Sequence, residues 1–285
     1  MAKVPNLRRL RHRASKSLLR KPLIWLRHRG LDPADVFLAS YPRSGNTWLR
    51  FQLVEILAGR SAEFDNVNRL IPEMGIHGKT PALLPGGGRL IKTHEPYRPN
   101  YTRAVYVYRD LRDILLSMYS RETELNLIHI DLDTFLKEFL EGTASGFGAW
   151  HDHIESWLGC PLARRGDLCV IRFEEMRNNP ESALAEILDF LGKKVDRSVI
   201  QAAIANNSLE RMKEKEKRSE NLPKSKTEEG RFVRKGAVGG WRSRLTEEQI
   251  RLVDQHAGPV LARLGYPTAH ATLEPVLAVP GAIRA

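Results

Sequence analysis

The sequence predicts an α/β protein, a single domain with a central parallel β-sheet flanked by helices. Three observations carry that expectation. Short continuous apolar runs, such as Val36–Ser40, Ala104–Tyr108 and residues 168–173, lack polar alternation, which is the pattern of strands buried on both faces. Segments with helical spacing follow these runs in turn, as in strand–helix–strand units. At 285 residues and 42% hydrophobic content, the chain is long enough to bury one full core.

The first thirty residues stand apart. They hold ten Lys or Arg and no acid, so of a net charge of +11 the rest of the chain carries only about +1. The basic balance therefore belongs to an N-terminal arm, and no nucleic-acid partner is expected. Leu7, Leu10, Ala14 and Leu18 fall on one helical stripe, and Ile24, Trp25 and Leu26 follow. Three readings stay open for residues 1–30. The arm lies on an anionic membrane surface at about 1 kcal/mol per basic residue, packs on the domain with a solvated basic face, or serves as a targeting presequence.

Beyond the arm, residues 31–268 form the expected domain. Strand Val36–Ser40 runs through a polar turn into a helix over 45–57, and the Gly- and Pro-rich residues 59–88 are expected as loops. A short strand over 89–93 and strand Ala104–Tyr108 come next, followed by helices over 111–120, 131–141 and 145–158. Strand 168–173 precedes helices over 180–191, 196–205 and 208–217. Residues 213–235 read as a charged loop, a helix over 246–264 closes the domain, and 269–285 are a tail. No run approaches the ~20 apolar residues that cross a bilayer, and the basic start lacks the apolar core of a secretory signal. Cys160 and Cys169 have no metal spacing, and Cys169 sits in an apolar strand, so a reducing, cytoplasmic setting is expected, with peripheral contact at a membrane's inner face left open.

The stretch with most chemistry is VFLASYPRSGNTWLR, residues 36–50. An apolar strand enters a tight turn, Pro42-Arg43-Ser44-Gly45-Asn46-Thr47, and then a helix. Backbone N–H groups, hydroxyls, a guanidinium and a helix N-terminus converge there, which favours a phosphate or sulfate. Gly45 lets the backbone approach closely, and Arg43 can grip two oxygens at once. The plain alternative is an ordinary strand–turn–helix with a Ser or Asn cap.

This turn resembles the 5′-phosphosulfate loop of sulfotransferases that use 3′-phosphoadenosine 5′-phosphosulfate (PAPS), where Tyr-Pro-Lys-Ser-Gly-x-x-Trp is usual. Two more segments fit in order. One is Val105-Tyr106-Val107-Tyr108-Arg109-Asp110 continuing to Ser117; the other is Arg234-Lys235-Gly236-Ala237-Val238-Gly239-Gly240-Trp241. The resemblance implies the sulfotransferase fold, a relative of nucleotide kinases. It implies PAPS as co-substrate, adenosine 3′,5′-bisphosphate (PAP) as product, and no metal. By the same resemblance, residues 43–48, including Ser44, Thr47 and Trp48, hold the 5′ end. Arg109, Ser117, Arg234, Lys235 and Gly236 hold the 3′-phosphate, with Phe173, Trp48 and Ser208 near the adenine. His94 in Ile91-Lys92-Thr93-His94 stands past a strand end with a pKa suited to proton transfer. The resemblance makes it the base and Lys92 a sulfate contact.

Some positions depart from the family pattern. Arg43 replaces a Lys and cannot readily give up a proton. Asn46 still offers a side-chain amide, Gly240 replaces an Asp, and residues 242–247 lack the family's dimerisation pattern, so the oligomeric state is left open. Asp110 at a strand end also keeps open a phosphoryl-transferring P-loop enzyme, with Asp110 as the metal-binding acid, although the loop lacks the first Gly and the Lys such enzymes use. A non-catalytic anion-binding protein is the other alternative. His151-Asp152-His153 reads as a polar helix face, and Phe147, Trp150 and Trp157 as core more than pocket. The acceptor is expected to be a carbohydrate, glycolipid or lipid-linked alcohol, with a small phenol or alcohol as the competing choice.

Overall fold

A computed structural model describes residues 20–222, 227, 231–234 and 236–268. The stripe from Leu7 to Leu18, Lys235 and the tail 269–285 lie outside the described residues. Four strands form one parallel sheet: β1 (Val36–Ser40), β2 (Leu90–Thr93), β3 (Ala104–Tyr108) and β4 (Leu168–Arg172), in the order β2-β1-β3-β4. Register places Ala39 beside both Thr93 and Tyr106, so β1, β2 and β3 end together on one edge.

The apolar runs are buried on both faces. Val36 and Leu38 of β1, with Val105 and Val107 of β3, pack toward one cluster, with α2 (Asn46–Ala58) and helices that follow β4. Phe37, Ala39, Ala104 and Tyr106 point to the other cluster, as the two-residue strand period requires. That face is covered by α3 (Leu111–Glu124), α4 (Leu132–Leu140), α5 (Trp150–Leu158) and, from the C-terminal end, the long helix Glu247–Arg263. Between them run α6 (Pro161–Arg165), α7 (Phe173–Asn178), α8 (Pro180–Phe190), α9 (Arg197–Asn206) and α10 (Leu209–Arg218), and the long helix is α11. A reciprocal capping box between Thr246 and Gln249 starts α11.

A helix start and a strand end differ from the expected ones. The helix expected from 145 begins at Trp150, because Gly148 takes φ 78 and breaks the helical path. The strand expected to 173 ends at Arg172, and Phe173 opens α7 instead.

Within the arm, helix α1 (Arg20–Arg27) docks on the domain. Ile24 is buried, Arg27 Nε donates to Met74 O at 2.9 Å, and Leu23, Trp25 and Leu26 on the same helix stay exposed. Among the described residues, no helix is long and apolar enough to cross a membrane. Cys160 and Cys169 are both free thiols and buried.

Candidate active site

The turn after β1 is built on two left-handed residues, Arg43 at φ 70 and Gly45 at φ 91. Glycine is required at 45 for a second reason: a Cβ there would meet the Phe173 ring at 2.4 Å. Having no side chain, Gly45 gives α2 no side-chain cap, so the helix opens on the turn with its first-turn amides available to an anion. The Asn46 side chain does not face outward. Its amide donates to Leu38 O at 2.9 Å and Ser40 Oγ at 3.2 Å, tying the helix start back onto β1. Ser44 is fully buried, and among the described residues its Oγ has no hydrogen-bond partner.

A cavity of about 640 Å³ opens at this turn. Arg43, Gly45, Asn46, Thr47 and Trp48 line it beside Lys92, His94, Arg109, Ser117, Phe173, Arg234 and Gly236. Of the residues expected to form the site, Ser44 and Ser208 are not on its wall, and Lys235 is not described. Ser208 instead caps α10, its Oγ accepting from Arg211 N at 3.3 Å. Leu209 and Met212, which follow it, do line the cavity. With Trp48 and Phe173 they give one end apolar walls of the kind a nucleobase fills.

The charge is one-sided. Among the described residues, Arg43, Arg109, Arg177, Arg234, Arg244 and Lys92 line the cavity against a single carboxylate, Asp113. That carboxylate is already engaged, accepting from Gly239 N at 2.8 Å and Trp241 N at 3.1 Å, with Arg109 at 3.8 Å. Burial, and then repulsion from Arg121, Arg234 and Arg109, pushes Arg43 down to about 9. A polyanion in the cavity would remove that repulsion.

Arg43, expected at the 5′ end, and Ser117, expected at the 3′-phosphate, touch. Arg43 Nε donates to Ser117 Oγ at 2.9 Å, and its Nη2 donates to Phe232 O at 3.2 Å. Arg109 joins three segments. It donates to Arg43 O at 3.2 Å and Ala237 O at 2.7 Å, and its guanidinium lies 4.3 Å from the Phe173 ring centre. Arg109 and Asp113 are both buried, so their ion pair at 3.8 Å is not a solvated surface contact.

At the other end, His94 lies just past β2. Its Nδ1 is 2.8 Å from Ser40 O, a group that only accepts, so Nδ1 carries the proton and Nε2 keeps its lone pair. Burial, and then the Lys92 charge, lowers His94 to about 3, which keeps the ring neutral near neutral pH. Lys92 Nζ donates to Glu73 Oε1 at 2.7 Å, and the ammonium in turn holds Glu73 down at about 2. Phe147 meets His94 edge-on, with ring centres 5.7 Å apart.

Two expectations need correction. His153 is not on a polar helix face; it is buried, bonded to Tyr106 OH and the His94 carbonyl. Asp110 is not open to a metal. Arg112 grips both its oxygens at 2.9 and 2.8 Å, and Trp241 Nε1 donates to it at 3.0 Å. A Cβ on Gly240 would lie 3.7 Å from Asp113 Oδ1, so an acidic side chain there would face a carboxylate already in use. Trp150 and Trp157 are core, as expected. Sequence reasoning missed Glu73, Arg177 and Arg244. Each lies in a segment with no motif; the fold carries Arg177 and Arg244 to the cavity wall and Glu73 to the Lys92 ammonium.

Comparison with known proteins adds an independent line. The sulfotransferase domain family, through its model, matches residues 33–265. Sulfotransferase 1B1 of Mus musculus is 27% identical over 250 residues, covering 78% of this chain and 81% of that relative. Sulfotransferase 1 family member D1, also of Mus musculus, is 30% identical over 248 residues, covering 78% and 82%. Among solved structures, mouse sulfotransferase SULT7A1 complexed with PAP superposes with a TM-score of 0.62 at 25% identity, covering 83% of this chain and 86% of that one. Retinol dehydratase, in a complex with retinol and PAP, shares the fold with a TM-score of 0.64 at 21% identity, covering 88% and 85%.

Proposed function

The chain belongs to the sulfotransferase domain family, and we propose that it moves a sulfuryl group from PAPS to a hydroxyl or amine, with His94 as general base. The observation that carries this is one cavity with six cations on its wall and, at one end, a neutral imidazole whose Nε2 is unprotonated. In-line displacement forms a bond from sulfur to the acceptor atom and breaks the bond from sulfur to the 5′-phosphate oxygen. The acceptor must lose a proton, and negative charge grows on the departing phosphate. His94 Nε2 takes the proton. Lys92, Arg43 and the N-terminus of α2 offset the charge. Arg43 does this as a fixed cation, not as a proton donor.

The 3′-phosphate falls to Arg109, Ser117, Arg234 and Gly236, with Lys235 as a further candidate. The apolar walls of Trp48, Phe173, Leu209 and Met212 suit the adenine. Arg109→Ala tests this assignment by calorimetry with PAP and with ADP. It is expected to weaken PAP binding at least ~30-fold, about the 2 kcal/mol typical of a charged hydrogen-bonded contact, and to leave ADP nearly unaffected. Equal losses for the two nucleotides would refute the 3′-phosphate role. A native preference for Mg·ATP over PAP would refute the donor itself.

For the acceptor, we favour a carbohydrate, glycolipid or other lipid-linked alcohol over a small phenol. The support is the arm. Leu23, Trp25 and Leu26 are 54%, 65% and 54% exposed on a docked helix, in a segment with ten basic residues and no acid. Apolar side chains beside cations suit the surface of an anionic membrane. In sedimentation with phosphatidylserine vesicles, the full chain should pellet at low salt. Trp25→Ser combined with Leu26→Ser should leave it in the supernatant. Equal sedimentation of both chains would exclude this surface.

A further inference from the structure

We propose that helix α5 positions the catalytic histidine, with His153, oriented by Tyr106, as the central residue. This rests on His94 acting as the base. His153 and Trp157 lie one turn apart on α5, so their side chains leave the same face. His153 Nε2 is 3.1 Å from the carbonyl oxygen of His94, and Trp157 Nε1 donates to the carbonyl of Glu95 at 3.1 Å. Two consecutive peptide carbonyls just beyond β2 are thus held by two buried donors from one helix.

The tautomer of His153 follows from its partners. A carbonyl oxygen only accepts, so Nε2 carries the hydrogen and Nδ1 keeps the lone pair. Tyr106 OH, 2.8 Å from Nδ1, donates to it. Both ring nitrogens are satisfied in one neutral form. The Tyr106 ring lies nearly parallel to both α5 side chains, at 5.8 Å and 25° from His153 and at 5.3 Å and 19° from Trp157. Tyr41, the first residue after β1, meets His153 edge-on at 5.3 Å. One buried ring therefore aligns the anion-binding turn and the base against each other.

The His94 imidazole needs such a support. Its own polar contacts are to Ser40, through Nδ1 to the carbonyl at 2.8 Å and the hydroxyl at 3.3 Å. The direction of Nε2 then depends on where the His94 backbone sits. Strand β2 sets the backbone on one side of His94; the α5 donors set it on the other. A misplacement of about 1 Å at a reacting group can cost roughly a hundredfold in rate. His153, Tyr106 and Trp157 are at most 1% exposed and do not line the cavity. Their replacement therefore leaves the donor contacts in place.

The test uses the full chain as wild type, His153→Phe, His153→Gln and Tyr106→Phe. It measures PAP affinity, PAPS turnover with a simple phenol or with water as acceptor, and the ¹⁵N spectrum of the imidazoles. His153→Phe should lower turnover ~10–100-fold with PAP affinity within about twofold of wild type. His153→Gln keeps a donor near the Nε2 position and should recover most of the rate. Tyr106→Phe removes one hydroxyl, keeps the ring stack and should fall between. The ¹⁵N spectrum should show the single Nε2-unprotonated form of His94 giving way to a tautomer mixture in His153→Phe. If His153→Phe does not fold, Tyr106→Phe and its spectrum decide. Wild-type turnover and an unchanged His94 signal in a folded variant would overturn the proposal, as would parallel loss of PAP affinity. Full turnover in His94→Ala would instead overturn the base assignment beneath it.

Discussion

Replacing His94 by alanine is expected to lower PAPS turnover by ~10²–10⁴-fold, the usual contribution of a general base, and to leave PAP binding nearly intact. The separation follows from geometry. His94 touches the turn through Ser40, while the cations proposed to hold a nucleotide are Arg43, Arg109 and Arg234. The pH profile supplies a second check. His94 is faced by Lys92, Glu73 and His153 as well as the Ser40 carbonyl, and burial with the Lys92 charge lowers it to about 3 from an ordinary 6.5. A base whose pKa is lowered stays unprotonated as the medium becomes more acidic. The acid limb of kcat/KM, which reports the free enzyme, should therefore fall well below pH 6.5. A bound polyanion would raise the imidazole pKa, so the limb in kcat should lie at higher pH than the limb in kcat/KM. A limb at 6.5 in kcat/KM would mean that another group, or a solvated His94, takes the proton.

Gly45→Ala is expected to be the most damaging change in the turn. Alanine at φ 91 is strained, and its Cβ would meet Phe173 Cδ2 at 2.4 Å. The two costs, backbone strain and overpacking, each run about 1–3 kcal/mol, for a total of about 2–6 kcal/mol. Denaturant unfolding should show this loss, and calorimetry should show weakened PAP binding, because Phe173 also carries Arg109 against its face. Adding Phe173→Leu should recover part of the stability, the steric part, and none of the strain. Unchanged stability in Gly45→Ala would show that the turn relaxes out of its left-handed form.

Much of this was legible in the chain itself. The uninterrupted apolar runs Val36–Ser40 and Ala104–Tyr108 could satisfy their backbones and bury both faces only inside a parallel sheet, and that sheet formed. The turn was legible for a similar reason. Arg43, Ser44, Gly45 and Asn46 are contiguous, so the chemistry they share is a local property, and the resemblance read from them extended over the domain. Local reading failed where partners are remote in sequence. His153 appeared polar because its neighbours His151 and Asp152 are polar; its burial depends on Tyr106 and on the His94 carbonyl, 47 and 59 residues away. Glu73 carries no motif, yet it holds the Lys92 ammonium. Asp110 had the position of a metal-binding acid until Arg112 and Trp241 took its oxygens.

The sequence by itself thus determined the fold class, the turn that joins β1 to α2 and the family, because strand burial and turn geometry are encoded in short contiguous segments. Tertiary structure alone decided the protonation of His94, the contact between Arg43 and Ser117, and the buried support from α5. Each depends on burial and on charges or hydrogen bonds between segments far apart in the chain, and these act through distances that only folding sets.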